Sequence, residues 1–452
     1  MEVPQFKYNR KSFKFDDFKK FEIFTQCSKQ QYCNIYNARL KALKDHILQK
    51  VKIKWAHYEI VSLSQLCERN QNNTCVIIGT LYKHQELRPS ILNELSEELQ
   101  LIPQPARINY ASFKDILYLE DETLRIKLVG THINIQDIVT GIVCAVCGHE
   151  LETGAFLVTD WCFPGCCPKL SILNSQLLEK QGKILIISGL DLANNLQSLS
   201  INLLFEWITG MIGCEEVHKE VASIVCIIIA GIFNIFNMNS IRGSIETYSY
   251  KNYFETKLHN ETIFKKTANV THKLDNFLYP IAQCCPILLM PGEFDPTCHR
   301  LPQQPFHPCI LPECSRFKSF YGVTNPWVGS INSRIIAGSS GQPIMDIMKI
   351  AGLVDISPLI WLERTLLWCH YAPTAPDATP TYSSSKIDPF IITECPDIYF
   401  VGNMDKYDTK IYTAEEGQTI RLISIPKFSK TQTGVLVDLQ DLNTWPISFT
   451  VN

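Results

Sequence analysis

Four acidic side chains follow short apolar runs at turns that contain glycine, where they could bind metal ions. They are Asp191, Glu293, Asp295 and Asp405. Carboxylate oxygens are ligands of hard divalent cations, and two cations held about 3.5–4 Å apart can activate water for phosphoester hydrolysis. Metal-dependent phosphoester hydrolysis is therefore the first candidate chemistry.

A two-metal phosphoesterase also needs histidine and a bridging aspartate at such turns, and this chain lacks them. Where those enzymes carry metal ligands, the sequence has Gly189, Ile232, Phe294, Ser340 and Asn403. The first three have no side-chain atom that can bind a metal, and a serine hydroxyl is a poor ligand. Ile232 matters most, because the aspartate expected there bridges both metals. The turns therefore predict a catalytically inactive site with no bound metal or other cofactor.

Two interpretations of the four carboxylates stay open. Together they could hold one hard cation such as Mg²⁺, which would leave a residual metal-dependent phosphodiesterase as an alternative function. Acidic residues at strand ends more often satisfy backbone N–H groups in turns and caps. We favour this structural role.

The cysteines raise a second candidate metal site. Cys144, Cys147 and His149 have the spacing of a zinc knuckle, and Cys162, Cys166 and Cys167 could supply its second half. However, residues 141–146 have the pattern of a strand, in which side chains three positions apart face opposite sides of the sheet. The spacing therefore favours structural thiols over zinc ligands.

The elements that position the acidic turns alternate between strand and helix. Strands are predicted at 183–188, 224–230 and 287–290, with helices at 198–212 and 263–281 between them. This alternation is typical of a layered α/β domain with a mostly parallel sheet, whose sites form beyond the carboxyl ends of its strands. Further strands are predicted at 334–337, 397–401, 421–425 and 435–439, and they indicate a second sheet packed on the first.

The preceding part of the chain predicts a small β-barrel. A helix at 35–51 leads into five short strands, at 75–82, 116–119, 124–129, 140–146 and 155–158, with one helical insert at 90–101. Five short strands and one helix suit a closed barrel of the OB type. Such barrels can bind single-stranded nucleic acid. These strands show few paired aromatic and basic residues, so we favour protein docking.

The N-terminal segment, residues 6–24, interleaves phenylalanine with lysine. Phe13, Phe15, Phe18 and Phe21 alternate with basic residues, a composition that could stack on bases and contact phosphates. Acidic residues dilute this charge, and docking of the aromatic rings on the protein body is the favoured interpretation.

Length, charge and composition limit the remaining classes of architecture and function. A chain of 452 residues exceeds one compact core and suggests two domains. Its formal net charge of -3 provides no overall attraction to nucleic acid or anionic membrane. The first ten residues lack an apolar signal region, which argues against secretion. The uncharged segment 221–241 is short and rich in β-branched residues, so we predict a buried strand there and no membrane span.

Several unusual strings resemble one family, the B subunits of the eukaryotic replicative DNA polymerases, and specifically its delta type. They include Gly79-Thr-Leu-Tyr-Lys, Met290-Pro-Gly-Glu-Phe-Asp-Pro, His370-Tyr-Ala-Pro-Thr-Ala-Pro-Asp and Phe428-Ser-Lys-Thr-Gln-Thr-Gly-Val-Leu-Val-Asp-Leu. The likeness extends from about residue 31 to residue 449. The chain departs from the family mainly in its extra cysteines, including Cys144 and Cys147.

The resemblance implies an α/β (α+β overall) architecture in three parts. These are an N-terminal tail (1–34), an OB-fold β-barrel domain with its preceding helix (35–168), and a calcineurin-like phosphoesterase domain (169–452). The last would be a layered α/β sandwich that is catalytically inactive. Its former ligand positions would be Gly189, Asp191, Ile232, Glu293, Phe294, Asp295, Ser340, Asn403 and Asp405.

The resemblance also implies a nuclear scaffold for DNA replication and repair. Its partners would be the cysteine-rich C-terminal module of the catalytic subunit of DNA polymerase delta and the third subunit, with a small fourth subunit as a further candidate. Sliding clamp and DNA would be reached only indirectly, and no membrane is involved. The proline-rich loop 372–380 and the turn 302–312 are predicted contact surfaces.

Overall fold

The computed structural model of this chain describes residues 8–23, 31–66, 73–88, 109–130, 134–168, 181–192, 198–232, 253–352, 356–383, 387–415 and 417–450. Side chains of the helix that begins at Tyr253 are described from residue 268 onward. The predicted helical insert at 90–101, residues 6, 7 and 24 of the N-terminal segment and residues 233–241 of segment 221–241 lie outside the described residues.

The first folded unit is a closed β-barrel preceded by a long helix, as the sequence predicted. Helix α1 (Cys33–Lys54), β2 (Ile60–Val61) and the short α2 (Leu63–Leu66) lead into β3 (Cys75–His84), β4 (Ile116–Glu120) and β5 (Arg125–Val129). Strands β6 (Val143–Glu150) and β7 (Ala155–Cys162) complete it. The strand order is β2-β3-β4-β5-β7-β6, and pairing of β3 with β6 closes the barrel.

A mostly parallel sheet forms the middle of the second unit. It contains β8 (Lys183–Ser188), β9 (Ile224–Ala230), β10 (Ile287–Met290) and β11 (Phe320–Gly322), all parallel, and then the antiparallel β17 (Thr433–Asp438) and β18 (Thr444–Ser448). The connections contain α3 (Leu199–Thr209), α4 (Glu215–Ala222) and α5 (Tyr253–Cys284). The predicted alternation of strand and helix is confirmed.

A second six-stranded sheet packs on the first. Its strands are β12 (Trp327–Ile331), β13 (Arg334–Ser339), β14 (Ile398–Met404), β15 (Asp408–Thr413) and β16 (Thr419–Pro426), together with the N-terminal β1 (Phe15–Asp17). Helices α6 (Gln342–Ile350) and α7 (Pro358–Leu367) connect β13 to β14, and the short α8 (Phe428–Thr431) follows β16.

The apolar residues of the two sheets divide into layers. One cluster lies between the sheets and combines Ile186, Ile228 and Met290 of the first with Ile336 and Phe400 of the second. On its outer face the first sheet packs against α3 and α5. The second sheet packs on its outer face against α6, α7 and the barrel. The layer order is therefore helices, sheet, sheet, helices with barrel.

The barrel and the second sheet share one continuous hydrophobic core. The cluster that contains Leu81 and Phe156 of the barrel also contains Ile347, Leu362 and Leu422 of the second unit. Because the two units bury apolar surface against each other in this cluster, we expect them to unfold together.

The N-terminal strap, residues 8–23, docks along the second unit. Strand β1 pairs antiparallel with β12, and the Phe15 ring lies 4.7 Å from that of Tyr321 and 6.0 Å from that of Trp327. The Arg10 guanidinium donates hydrogen bonds to the carbonyl oxygens of Val221, Ile224 and Ile208. The docking interpretation is therefore confirmed for the described part of the segment, which contributes an edge strand.

None of the helices that the structure describes is both long and apolar enough for a membrane span. In segment 221–241, residues 224–230 form strand β9 in the middle of the first sheet, where every residue of the strand is buried.

The proline-rich loop 372–380 is mostly buried, which contradicts its prediction as a contact surface. Ala372, Thr374 and Ala375 have no exposed surface, and the fully buried Arg39 of α1 donates hydrogen bonds to the carbonyl oxygens of Pro373 and Ala375. The loop therefore joins the barrel to the second unit. In the turn 302–312, His307, Pro308 and Cys309 are exposed, and its contact role stays a prediction.

Arg39 belongs to a buried charged network that links the two units. Its Nε donates to Asp388 Oδ2 at 2.6 Å, and one terminal nitrogen donates to the carbonyl oxygen of Gly141 at 2.9 Å. Nε2 of the buried His370 lies 2.9 Å from the same Asp388 oxygen. Gly141 has a φ of 95°, and a Cβ there would lie 2.1 Å from the Pro373 carbonyl oxygen. Only glycine fits at this crossing point.

The network makes stability depend on pH through His370. Burial, followed by the charge of Arg39, lowers the pKa of His370 to about 4. An unfolded histidine titrates near pH 6.5, so between those values the unfolded chain binds more protons than the folded one. We expect the free energy of unfolding to fall by up to about 3 kcal/mol between pH 7 and pH 4 from this group.

Asp388 also lowers the free energy of unfolding as the pH falls. Burial alone would raise its pKa, but Arg39 and the hydrogen bond from His370 lower it below its usual range. Urea unfolding of the wild type and of His370→Gln at pH 7, 6 and 5 tests the histidine contribution. The variant should lose less stability on acidification, and parallel pH profiles of the two proteins would contradict the assignment.

Candidate functional site

The carboxyl ends of six strands (β8, β9, β10, β13, β14 and β16) meet at one cleft between the two sheets. Its lining consists of Gly189, Gly231, Gly292, Glu293, Phe294, Ser340, Met345, Asn403, Lys427 and Ser429. The cleft encloses about 450 Å³ up to its open mouth. Five of the predicted positions, Gly189, Glu293, Phe294, Ser340 and Asn403, therefore lie together, as expected for the strand ends of an α/β sheet.

Three glycine turns bring the backbone close to itself on one side of the cleft. Gly189 N–H donates to the Gly231 carbonyl oxygen at 2.9 Å, and Gly231 N–H donates to the Met290 carbonyl oxygen at 2.9 Å. A Cβ on Gly231, where φ is 74°, would lie 3.2 Å from the Gly292 Cα. At these three glycine positions the turns thus contribute backbone and no side chain.

Asn403 crosses the floor of the cleft and ties the two sheets together. Its Nδ2 donates to the Ser340 carbonyl oxygen at 2.7 Å and to the Ala230 carbonyl oxygen at 3.2 Å. Its backbone N–H donates to Ser188 Oγ at 2.9 Å. A register shift in the pairing of β14 with β16 at this point, together with a φ of 59°, turns the side chain inward. The amide therefore has a structural role.

Asp295 uses its carboxylate to hold the turn that contains it. Oδ2 accepts hydrogen bonds from the backbone N–H groups of Gly292 at 2.6 Å and Ile232 at 3.2 Å. The side chain is buried. This geometry matches the favoured interpretation of the carboxylates as turn residues.

The other predicted positions do not converge with Asp295. Asp191 is buried on its own turn, with a φ of 49° and its N–H bonded to the Ile232 carbonyl oxygen. Asp405 has a side chain that is 83% exposed, and it lies 3.6 Å from Lys430 Nζ. Within the described ranges, no three His, Cys, Asp or Glu side chains form a group that could hold a metal ion. The geometry therefore argues against the single-cation alternative.

A buried amide cluster behind the cleft was missed by sequence reasoning. Gln303, Asn325 and Gln342 surround Ser340 Oγ, and hydrogen bonds of 2.6–3.0 Å connect the four side chains. Ser340 therefore has its hydroxyl committed to structural bonds. The cluster has no sequence signal, because its members come from three separate loops and a helix start.

Lys427 lines the cleft itself and was also missed by sequence reasoning. It follows β16 directly, and its backbone N–H donates to the Met404 carbonyl oxygen at 2.9 Å. It is the basic residue of a lining that also holds the acidic Glu293. This pair leaves the cleft without a strong charge of either sign.

The predicted zinc ligands are dispersed. Cys144 and Cys147 are buried on β6, and burial raises the pKa of both thiols, which disfavours the thiolate that zinc requires. Cys166 Sγ lies 3.7 Å from Cys395 Sγ, on the side of the second unit. Together with the lack of any metal-binding group among the described residues, this arrangement does not support a zinc knuckle.

Two thiols meet at the contact between the units. Cys167 Sγ lies 3.2 Å from Cys369 Sγ, and both lie near the carbonyl oxygen of Ile392. The hydrogen bond from Cys369 lowers the pKa of Cys167, whereas the hydrogen bond to Cys167 and burial raise that of Cys369. These cysteines pack the loop after the barrel against the second unit.

Comparisons with known proteins match both units. Residues 31–161 match the family described as the DNA polymerase delta subunit OB-fold domain, and residues 184–409 match the family of B-type subunits of DNA polymerases alpha and epsilon. The chain is 34% identical over 426 residues to DNA polymerase delta subunit 2 of Drosophila melanogaster, covering 94% of each chain. It is 35% identical to the DNA polymerase delta small subunit of Arabidopsis thaliana, covering 95% of this chain and 94% of the relative.

The match to a more distant relative also covers most of both chains. The DNA polymerase delta small subunit of Saccharomyces cerevisiae is 26% identical over 458 residues, covering 91% of this chain and 88% of the yeast protein. The similarity therefore includes both the barrel and the two-sheet unit.

Proposed function

The chain belongs to the family of DNA polymerase delta small subunits, and from this premise we propose that it acts as a non-catalytic scaffold within that polymerase. It links the cysteine-rich C-terminal module of the catalytic subunit to the third subunit, and a small fourth subunit is a further partner. The sliding clamp and the replicated duplex are reached through those partners. This role places it in the nucleus, in DNA replication and repair.

The observation that carries the proposal is how the cleft uses its polar groups. Asn403, Ser340 and Asp295 bond to backbone or to neighbouring amides, and the glycines of the three turns supply no ligand side chain. We propose that the two-sheet unit is a phosphoesterase-like sandwich of the calcineurin type, with Gly189, Asp191, Ile232, Glu293, Phe294, Asp295, Ser340, Asn403 and Asp405 at vestigial positions. Ile232, at the place of the bridging aspartate, is fully buried.

We propose a domain division that the two family matches, at residues 31–161 and 184–409, support. It assigns residues 35–168 to the barrel with its helix and residues 169–452 to the phosphoesterase-like unit. Residues 1–34 are assigned to an N-terminal segment, whose strap residues 8–23 dock on the second unit. The shared core supports treating the barrel and the sandwich as one rigid scaffold for partner subunits.

Co-expression tests the scaffold role. The full chain and the catalytic subunit of DNA polymerase delta should co-elute at fixed stoichiometry on size-exclusion chromatography, including at high salt. A catalytic subunit without its cysteine-rich C-terminal module is the matched control and should elute separately. Separate elution of two folded, intact proteins would contradict the proposal.

Hydrolysis assays test the alternative of a residual phosphodiesterase. With Mn²⁺, Mg²⁺ or Zn²⁺ and bis-p-nitrophenyl phosphate, we expect the full chain to show no turnover above buffer with the same metal. Asp405→Ala, a change at an exposed position, should leave that result unchanged. Metal-dependent turnover that Asp405→Ala abolishes would establish catalysis and overturn the inactive assignment.

A further inference from the structure

Two tyrosines and two basic residues share the outward face of the barrel. In β4 the leucines at 117 and 119 point into the core, whereas Tyr118 is only half-buried, because side chains alternate along a strand. In the strand register Tyr82 of β3 lies opposite Tyr118, and Tyr118 lies opposite Lys127 of β5. One row of side chains therefore runs Tyr82, Tyr118, Lys127 across three strands.

Arg125 lies two positions before Lys127 on β5, opposite Glu120. Together with the row it forms what we name the tyrosine platform (Tyr82, Tyr118, Arg125 and Lys127). The two tyrosine ring centroids lie 6.4 Å apart. The guanidinium carbon of Arg125 lies 4.6 Å from the Tyr82 centroid and 5.5 Å from the Tyr118 centroid. Arg125 and Lys127 are both exposed.

The sequence argued against a nucleic-acid site on the barrel because its strands showed few aromatic and basic residues side by side. The structure removes that objection. Tyr82, Tyr118 and Lys127 are far apart in sequence and become neighbours only through the antiparallel register of β3, β4 and β5. The barrel core is filled by Leu81, Leu117 and other apolar side chains of these strands, so the platform lies outside the core.

We propose that the tyrosine platform binds single-stranded nucleic acid. Aromatic faces stack on any base, and adjacent cations attract the phosphates, which together give binding without sequence preference. For two successive bases to stack on Tyr82 and Tyr118, Arg125 has to leave the ring faces that it covers in the free protein and turn to a backbone phosphate, as Lys127 does. The exposed cations over and next to the rings favour a polyanion over an apolar protein segment as the occupant.

Glu120 limits the affinity. Its carboxylate forms an ion pair with Arg125 in the free protein, and Asp121 and Glu122 follow it in the sequence. A phosphate has to replace Glu120 as the partner of Arg125. The platform therefore binds weakly, at low salt, and acts on a strand that the polymerase assembly already holds nearby.

Fluorescence anisotropy with the full chain tests the site. The probe is a fluorescein-labelled oligo-dT of about 16 nucleotides, long enough for one barrel. Saturable binding is expected at about 50 mM salt, with weaker binding at about 200 mM salt and to a duplex of equal length. The absence of binding up to about 100 µM protein at the lower salt would overturn the proposal.

Substitutions locate the binding. Tyr118→Leu should weaken binding at least about fivefold, whereas Tyr118→Phe, which keeps the ring, should bind like the wild type. Lys127→Gln should reduce the slope of log affinity against log salt by about 0.7. Tyr279→Leu, at an exposed tyrosine of α5, is the matched control and should change neither quantity. Equal affinity of Tyr118→Leu and the wild type would refute the site.

Photocrosslinking tests the proposed nucleic-acid contact in the assembled polymerase. A template strand that carries 5-iododeoxyuridine in its single-stranded part should crosslink to peptides containing Tyr82 or Tyr118. Unchanged co-elution of Tyr118→Leu with the catalytic subunit would show that the scaffold role is intact. Loss of co-elution with unchanged oligonucleotide affinity would show that the platform is a protein contact, which contradicts the proposal but leaves the scaffold role standing.

Discussion

Replacing Arg39 with methionine is expected to lower the free energy of unfolding by about 3–5 kcal/mol, because it leaves the buried carboxylate of Asp388 without its cation. Both side chains of this pair have no exposed surface. The change also leaves the carbonyl oxygens of Gly141 and Pro373 without a donor. Urea unfolding followed by tryptophan fluorescence measures the effect, as a lower midpoint in a single transition that includes both units.

The matched control is Arg316→Met. Arg316 also forms an ion pair, with Glu313 at 2.9 Å, but the arginine side chain is 71% exposed. Its removal should change stability by less than about 1 kcal/mol. A similar small effect of Arg39→Met would contradict the role of the network, and two separate transitions would contradict the shared core. The double variant Arg39→Met, Asp388→Leu should recover part of the loss, since no charge is then left unpaired.

Phe21→Ala is expected to destabilise the protein by about 3–5 kcal/mol, although Phe21 lies in the segment 1–34 that the family resemblance assigned to a tail. Phe21 is 1% exposed. Its ring lies 5.8 Å from that of Tyr371 and 6.0 Å from that of Phe390. Removing the ring leaves a cavity where the N-terminal strap packs against Tyr371 and Phe390 of the second unit.

Phe113→Ala provides the matched control, because Phe113 is fully exposed at a loop of the barrel. Its change in unfolding free energy should stay within about 0.5 kcal/mol. Thermal unfolding of the three proteins under one buffer condition measures both effects. Equal midpoints for Phe21→Ala and the wild type would mean that the strap adds nothing to the stability of the second unit.

The sequence predicted the central strands well because their signal is local. Strand β9 consists of seven apolar residues, and its predicted bounds match the observed ones. Elements without an apolar run were missed: α4 has the composition Glu-Glu-Val-His-Lys-Glu-Val-Ala, and β15 alternates exposed polar and half-buried residues at a sheet edge. Strand β1 is three residues long and acquires its structure only by pairing with β12. Such non-local pairing leaves no periodic pattern in a single sequence.

The sequence predicted where the candidate site lies, but not the hydrogen bonds that its side chains form. Apolar runs that end in glycine marked the turns, and five of the predicted residues line the cleft. The bonds of Asn403 to Ala230 and Ser340 depend on a register shift in β14, and the bonds of Asp295 depend on the path of one turn. The tyrosine platform was missed for the same reason, since strand register decides which side chains become neighbours.

The buried pairing of Arg39 with Asp388 has a consequence for how the chain is made. The two residues are 349 positions apart. At ribosomal rates of about 5–20 residues per second, the guanidinium emerges roughly 20–70 s before its carboxylate exists. Phe21 and the rest of the strap are likewise synthesised well before the strand and loops that cover them. Arg39, Phe21 and strand β1 therefore lack their native contacts while the barrel is synthesised, until residues 327–390 of the second unit have been translated. Chaperones that bind exposed apolar segments would act on the first half of the chain while the ribosome completes the second.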